Sequence, residues 1–151
     1  IYIIARVLRM SQDIKVKTKI GEYIIKAGLL YTETDEWIKA EGNLITIGIT
    51  DYAQKKLRYI VNVELTEPGT EVKAGESIAV LESVKTIADV YSPVDGKLVE
   101  VNESLRDNPD LINKDPYGDG WIAKIEMTGS LPKDKLMSPE KYAEHIKSKE
   151  E

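Results

Sequence analysis

What most restricts the fold of this chain is a series of short apolar alternations, each closed by a turn before it reaches helical length. Ile14 to Ile20 reads Ile-Lys-Val-Lys-Thr-Lys-Ile, a period of two that predicts a strand. Lys15, Lys17 and Lys19 then share one face, where lysine discourages edge-to-edge pairing. Leu44 to Ile49 places Ile45, Ile47 and Ile49 on one side after the turn signal Glu41-Gly42-Asn43. Val61, Val63 and Leu65 alternate before Glu67-Pro68-Gly69, and Leu98, Val99 and Val101 follow a second Gly/Pro turn at Ser92 to Gly96. Trp121, Ala123 and Ile125 form a last strand. Repeated strand, turn, strand implies a sandwich or a barrel.

Helices are few and short in this reading. Asp51 with Gln54 has the spacing of a capping box and predicts about two helical turns ending near Leu57. A short helix or turn surrounds Leu105. Ser138 before Pro139-Glu140 predicts an N-terminal cap with Pro at the first helical position. In the C-terminal helix that follows, Tyr142, His145 and Ile146 fall on one stripe, so His145 reads as packing.

The run from Ser77 to Tyr91 is too long for one strand and needs a reversal inside it. Gly75 lies ten residues before Lys85 and Gly96 eleven after it. If both glycines mark turns at one end of an antiparallel pair, Lys85 falls at the opposite tip and points to solvent. Val84-Lys85 lacks the Gly, Asn or Asp that a two-residue hairpin turn favours. A local rule broken at one point suggests a functional demand there.

Composition removes most catalytic templates. The chain has 151 residues, enough for one domain of about 150. It has no Cys and a single His, which excludes Cys/His zinc sites, thiol nucleophiles and dithiol redox pairs. A Ser-His-Asp site would depend on His145, close to the chain end. No side-chain nucleophile with a nearby base stands out, so an enzyme is not expected. Basic residues number 21 and acidic 26, a net charge of -5, the wrong sign for neutralising phosphates. Neither nucleic acid nor membrane is expected as a partner, since no apolar run reaches about 18 residues.

The residues around Lys85 carry a family resemblance. Glu82-Ser83-Val84-Lys85, followed by Asp89-Val90-Tyr91-Ser92-Pro93-Val94-Asp95-Gly96, resembles the lipoyl-lysine motif of the glycine cleavage system H-protein family. Upstream, Tyr31 to Trp37, Thr46 to Gln54, and Val63 to Leu65 with Pro68-Gly69 resemble that family in the same order. Downstream, Val99 to Asn102, Asn108-Pro109, Asp115 to Gly118 and Gly120-Trp121 do so too. Asp35 and Tyr52 depart from it, standing where the family often has His, and Arg58 stands where a Gly is common. A biotin carrier usually has Met on both sides of its lysine, whereas Val84 and Thr86 flank Lys85.

The resemblance implies a mostly β, barrel-sandwich hybrid fold of the lipoyl/biotinyl-carrier type, with short helices and a C-terminal helix. It divides the chain into an N-terminal extension over 1–30, a lipoyl-carrier domain over 31–126, and a C-terminal linker and helix over 127–151. The extension includes a strand, and residues 1–9 read as non-native, ahead of a natural start at Met10-Ser11. Lys85 would carry lipoate as an amide, with Glu82 and Ser83 at the attachment motif. Thr34, Glu36 and Asp89 would line a cleft for the loaded arm. The implied role is a non-enzymatic carrier that moves the aminomethyl group of glycine and reducing equivalents. Its implied partners are glycine decarboxylase (P-protein), aminomethyltransferase (T-protein), dihydrolipoyl dehydrogenase (L-protein) and a lipoylating enzyme. An H-like relay that donates lipoate to other lipoyl domains is the alternative. The net negative charge suggests partners with basic docking faces, and the lack of Cys suggests the cytoplasm, or the mitochondrial matrix in a eukaryote.

Overall fold

The computed structural model describes residues 12–150. The expectations about residues 1–9 and a start at Met10-Ser11 lie outside the described residues. A two-stranded ribbon opens this part, β1 (Ile14–Lys17) pairing antiparallel with β2 (Glu22–Ile25). The predicted strand is thus shorter than its alternation. Thr18 ends it, because its hydroxyl accepts from the backbone N–H groups of Ile20 and Gly21 and turns the chain. Lys15 and Lys17 share the exposed face as predicted, and Lys19 falls in the turn.

Two further sheets face each other. The larger contains β3 (Leu30–Tyr31), β4 (Glu36–Glu41), β5 (Leu44–Ile49), β7 (Glu71–Val72), β10 (Gly96–Val101) and β11 (Ala123–Met127) in the order β3-β4-β5-β11-β10-β7. The smaller contains β6 (Ile60–Leu65), β8 (Ser77–Ser83) and β9 (Ile87–Tyr91) in the order β6-β8-β9. Every pairing within them is antiparallel. Apolar residues at alternate positions fill the space between the sheets, with Ile45, Ile47, Ile78, Leu81, Leu98 and Ile125 all fully buried. This is the predicted sandwich.

Strand β6 departs from simple alternation. A register shift between Ile60 and Asn62 turns Val61 outward, where it is 51% exposed, while Ile60 and Val63 enter the core. The bulge adds one residue and so changes which side chain faces inward.

Helix α1 (Asp51–Leu57) has the predicted length, but its cap is Thr50, whose hydroxyl accepts from the Ala53 N–H. Asp51 is the first helical residue, and the Gln54 amide donates to it. The capping-box reading was therefore one residue out of register. Two single-turn helices follow, α2 (Ser104–Asp107) around Leu105 and α3 (Leu111–Lys114), which has no periodic signal. Helix α4 (Pro139–Glu150) closes the described chain, and its Lys141 N–H donates to the predicted cap, Ser138.

A second, aromatic core lies under α4. Val16, Tyr23 and Ile25 of the ribbon meet Tyr31, Trp37, Tyr52, Tyr142 and Ile146 there. Tyr31 and Tyr142 stack with centroids 4.7 Å apart. Residues on both sides of the sequence divisions at 30/31 and 126/127 thus fill one interior. Gly48 admits the Trp37 indole, since a Cβ at that position would lie 2.6 Å from the ring. The indole N–H is satisfied by the Pro116 carbonyl at 2.9 Å.

Candidate functional site

Strands β8 and β9 form a hairpin whose last paired residues are Glu82 and Ile87. Ser83-Val84-Lys85-Thr86 makes the turn. Neither Val84 nor Lys85 has positive φ, so this is not the primed turn that Gly or Asn would favour. Ser83 supplies the compensation. Its hydroxyl accepts from the N–H of Lys85 at 3.1 Å and of Thr86 at 2.9 Å, and its backbone N–H donates to the Thr86 carbonyl. The Val84 N–H is held by the Tyr59 carbonyl at 3.0 Å. With the Ser83 hydroxyl also donating to the Thr86 carbonyl at 3.1 Å, five hydrogen bonds fix the turn without using the side chain of Lys85, which is exposed and has no carboxylate within salt-bridge distance among the described residues.

Two clefts lie at opposite ends of the β8–β9 hairpin, one at its base and one at this tip. The first has a volume of about 740 Å³ and is lined by residues including Thr32, Thr34, Glu36, Tyr91 and Lys135. Glu36 is its chemical centre. Although a carboxylate, it is only 1% exposed. The Thr32 and Thr34 hydroxyls both donate to its Oε1 at 2.5 Å, and the Tyr91 N–H donates to its Oε2 at 3.2 Å. Burial raises the Glu36 pKa above its ordinary value, and these three donors only partly offset that. Thr32 also accepts from the Glu36 backbone N–H at 3.0 Å, locking the carboxylate's own strand to the loop before it.

Thr34 and Glu36 therefore come together in this cleft. Asp89 does not join them. It is exposed on β9 and accepts from the Ser77 hydroxyl at 2.8 Å. Residues 87, 89 and 91 nevertheless alternate onto one face of β9. That face leads from the Lys85 tip past Asp89 to Tyr91 at the cleft, a run of about 20 Å for six extended residues. Thr32 and Tyr91 were missed in the sequence. Thr32-x-Thr34-x-Glu36 is a two-residue repeat that would have grouped the two hydroxyls with the carboxylate, while Tyr91 acts through its backbone and leaves no sequence signal.

The second cleft, of about 940 Å³, includes Lys85 itself. It runs between the β1–β2 turn, α1 and the end of α4, and its lining includes Lys55, Lys56, Arg58 and Lys149. Glu82 is exposed on β8 beside the tip.

Asp35 stands next to the Glu36 cleft with φ of 70°. The hydroxyl of Tyr142 donates to its carboxylate at 2.8 Å and contacts the Thr50 hydroxyl at 2.7 Å, and Lys149 lies 3.8 Å away. Helix α4 is thereby tied to both β4 and the cap of α1. The hydroxyl, enclosed and close to a carboxylate, has a pKa pushed well above the usual tyrosine range.

The fold is a barrel-sandwich of two antiparallel sheets that presents an exposed lysine on a pinned hairpin tip. The model of the glycine cleavage H-protein family matches residues 29–149. The probable glycine cleavage system H protein 1 of Saccharolobus solfataricus is 56% identical over 131 residues, covering 85% of this chain and 96% of that protein. The probable glycine cleavage system H protein of Aeropyrum pernix is 46% identical over 141 residues, covering 93% and 99% respectively. Among solved structures, a glycine cleavage system H protein from Mycobacterium marinum superposes with a TM-score of 0.72 at 37% identity, covering 79% of this chain and 96% of that one. The chain belongs to the glycine cleavage H-protein family.

Proposed function

We propose that this protein is the lipoyl carrier of a glycine cleavage system, with lipoate joined to the Lys85 ε-amine. The observation that supports this most directly is the tip itself. Its lysine is exposed and, among the described residues, without an ion-pair partner, in a turn fixed by other groups, so acylation removes a charge without breaking an ion pair among them. The residues present fit such a group. When bound, lipoate supplies the reactive sulfur pair that a chain without Cys lacks. Ser83 holds the turn that presents the amine, and Glu82 is free to meet a lipoylating enzyme.

Thr34, Glu36 and Asp89 form the route and the resting place for an arm that carries an amine. An ammonium beside Glu36 favours the carboxylate, and the carboxylate in turn favours the ammonium. Thr32 and Thr34 hold the carboxyl in place, and the cleft walls keep it from bulk water. Asp89 lies between the tip and the cleft and offers a second carboxylate on the way. The chain supplies no nucleophile of its own and acts as a substrate passed among glycine decarboxylase, aminomethyltransferase and dihydrolipoyl dehydrogenase. The names and the near-complete overlap of the relatives favour this role over a lipoyl relay. These archaeal relatives also favour the cytoplasm as its compartment.

Lys85→Arg tests the reading. Incubation with a lipoate ligase should add one lipoyl group to the native chain, located at Lys85 by peptide mapping, and none to the variant. The modified native chain should support glycine-dependent carbon dioxide exchange by glycine decarboxylase, and the variant should not. Activity of the unmodifiable variant at the native level rejects the proposal.

A further inference from the structure

We infer that the groove beside Lys85 is a basic docking surface for an acidic face of the enzyme that acylates this lysine. The inference rests on the carrier reading above. Its ground is a reversal of charge. The whole chain carries a net charge of -5, yet this groove gathers Lys55, Lys56, Arg58, Lys85 and Lys149 against Glu22 and Glu150. Both carboxylates are already engaged. Glu22 lies 3.3 Å from Lys15 and 3.8 Å from Lys17. Glu150 accepts from the Tyr23 hydroxyl at 2.6 Å and the Thr18 hydroxyl at 2.9 Å. Burial and Glu150 together push the Tyr23 pKa up to about 12, so that hydroxyl stays a donor.

The cations are less fully matched. Lys55 pairs with Asp51 at 3.2 Å and Lys149 with Asp35 at 3.8 Å. Lys56, Arg58 and Lys85 have no carboxylate within 4.0 Å among the described residues. These three are exposed and line one concave surface. Such a surface steers an acidic partner and repels a basic one. The face that presents the reactive amine therefore has the opposite preference to the one expected from net charge.

The reaction itself selects the acylating enzyme as the occupant. With ATP supplying activation, the Lys85 ammonium first gives one proton to solvent, the free amine nitrogen bonds the acyl carbon of lipoyl adenylate, the acyl–phosphate bond breaks, AMP leaves, and a second proton passes to solvent. The product is a neutral amide. The groove drops from five cationic side chains to four. An acidic partner thus binds the unmodified chain more tightly than the product, and release follows from the chemistry.

The test follows acylation by an ATP-dependent lipoate ligase, read by intact mass, as a function of NaCl and of variants K56E and R58E. The control is K97E, which reverses an exposed charge on β10 away from the groove. The native chain should lose kcat/KM steeply as salt rises. K56E and R58E should each lose about tenfold at low salt with kcat retained, and K97E should stay near native. As competitors of the native chain, K85R, which keeps the charge, should inhibit more strongly than K85Q. Salt-independent acylation, or equal inhibition by K85R and K85Q, overturns the docking surface while leaving the carrier reading intact. Absence of any acylation of the native chain overturns the carrier reading and the inference with it.

Discussion

The cleft at the base of the β8–β9 hairpin and the groove at its tip present opposite electrostatic problems. The Glu36 cleft buries one carboxyl and surrounds it with neutral donors, so its charge state depends on what enters. The Lys85 groove leaves its cations exposed to solvent. A buried ionisable group is sensitive to a single neighbour, because desolvation and pairing are both large there. An exposed cluster acts at longer range and weakens with salt. Under the proposed reading, holding a small cation and meeting a large partner are thus kept apart, at opposite ends of one hairpin.

Replacing Glu36 is the sharpest way to break this contrast. Glu36→Ala removes the acceptor for the Thr32 and Thr34 hydroxyls and the Tyr91 N–H in a buried place. The expected loss is about 3 kcal/mol in chemical denaturation, the range for buried groups left unpaired. Glu36→Gln keeps most of that stability and separates charge from packing. The native carboxyl has a raised pKa in the fold, so the folded state binds the proton more tightly than the unfolded state. Its contribution is full below the unfolded pKa and is lost as pH rises through the folded value. Native stability should therefore fall across that window relative to Glu36→Gln, measured by urea titrations at several pH values. Parallel profiles would mean that Glu36 is already ionised and that the cleft holds a fixed charge like the groove.

Ser83→Ala sharpens the comparison at the tip. The Lys85 and Thr86 N–H groups lose their acceptor, and the Ser83 hydroxyl no longer donates to the Thr86 carbonyl. The turn is partly open to water, so the cost should be about 1 to 2 kcal/mol. Amide hydrogen exchange should speed up at residues 85 and 86 and stay unchanged at the Glu36 cleft. Faster exchange in both places would join the clefts into one cooperative unit.

How much of this was legible follows from where each residue acts. The sandwich was readable because Ile45, Ile47 and Ile49 must all face inward from β5, and a one-residue slip would expose them. The exposed tip was readable because Ser77 to Tyr91 cannot be one strand. The register of β6 was hidden, since a bulge at Ile60 to Asn62 depends on its partner β8. Membership of the Glu36 cleft was half hidden. Thr34 and Glu36 are near in sequence, but Tyr91 reaches them by folding and contributes only a backbone group. The groove was only partly legible, because Lys55, Lys56 and Arg58 are close together at the end of α1 but Lys85 and Lys149 reach them by folding, inside a chain of net negative charge.

Arg58 offers the smallest effect and the finest distinction. It ends α1 with φ of 70°, a region where a side chain adds strain. Arg58→Gly removes that strain and adds unfolded-state entropy, which offsets part of the gain. The expected net is about 1 kcal/mol of added stability, or about 2 to 4 °C in Tm for a chain of this size. The same change deletes one unpaired cation of the groove, so acylation of Lys85 should slow while the fold becomes firmer. A rise in Tm with unchanged acylation would assign Arg58 to neither role. A fall in Tm would show that the Arg58 side chain contributes contacts worth more than its backbone strain. Opposite movements of stability and acylation rate, in one variant, are what a residue retained for docking rather than for folding must produce.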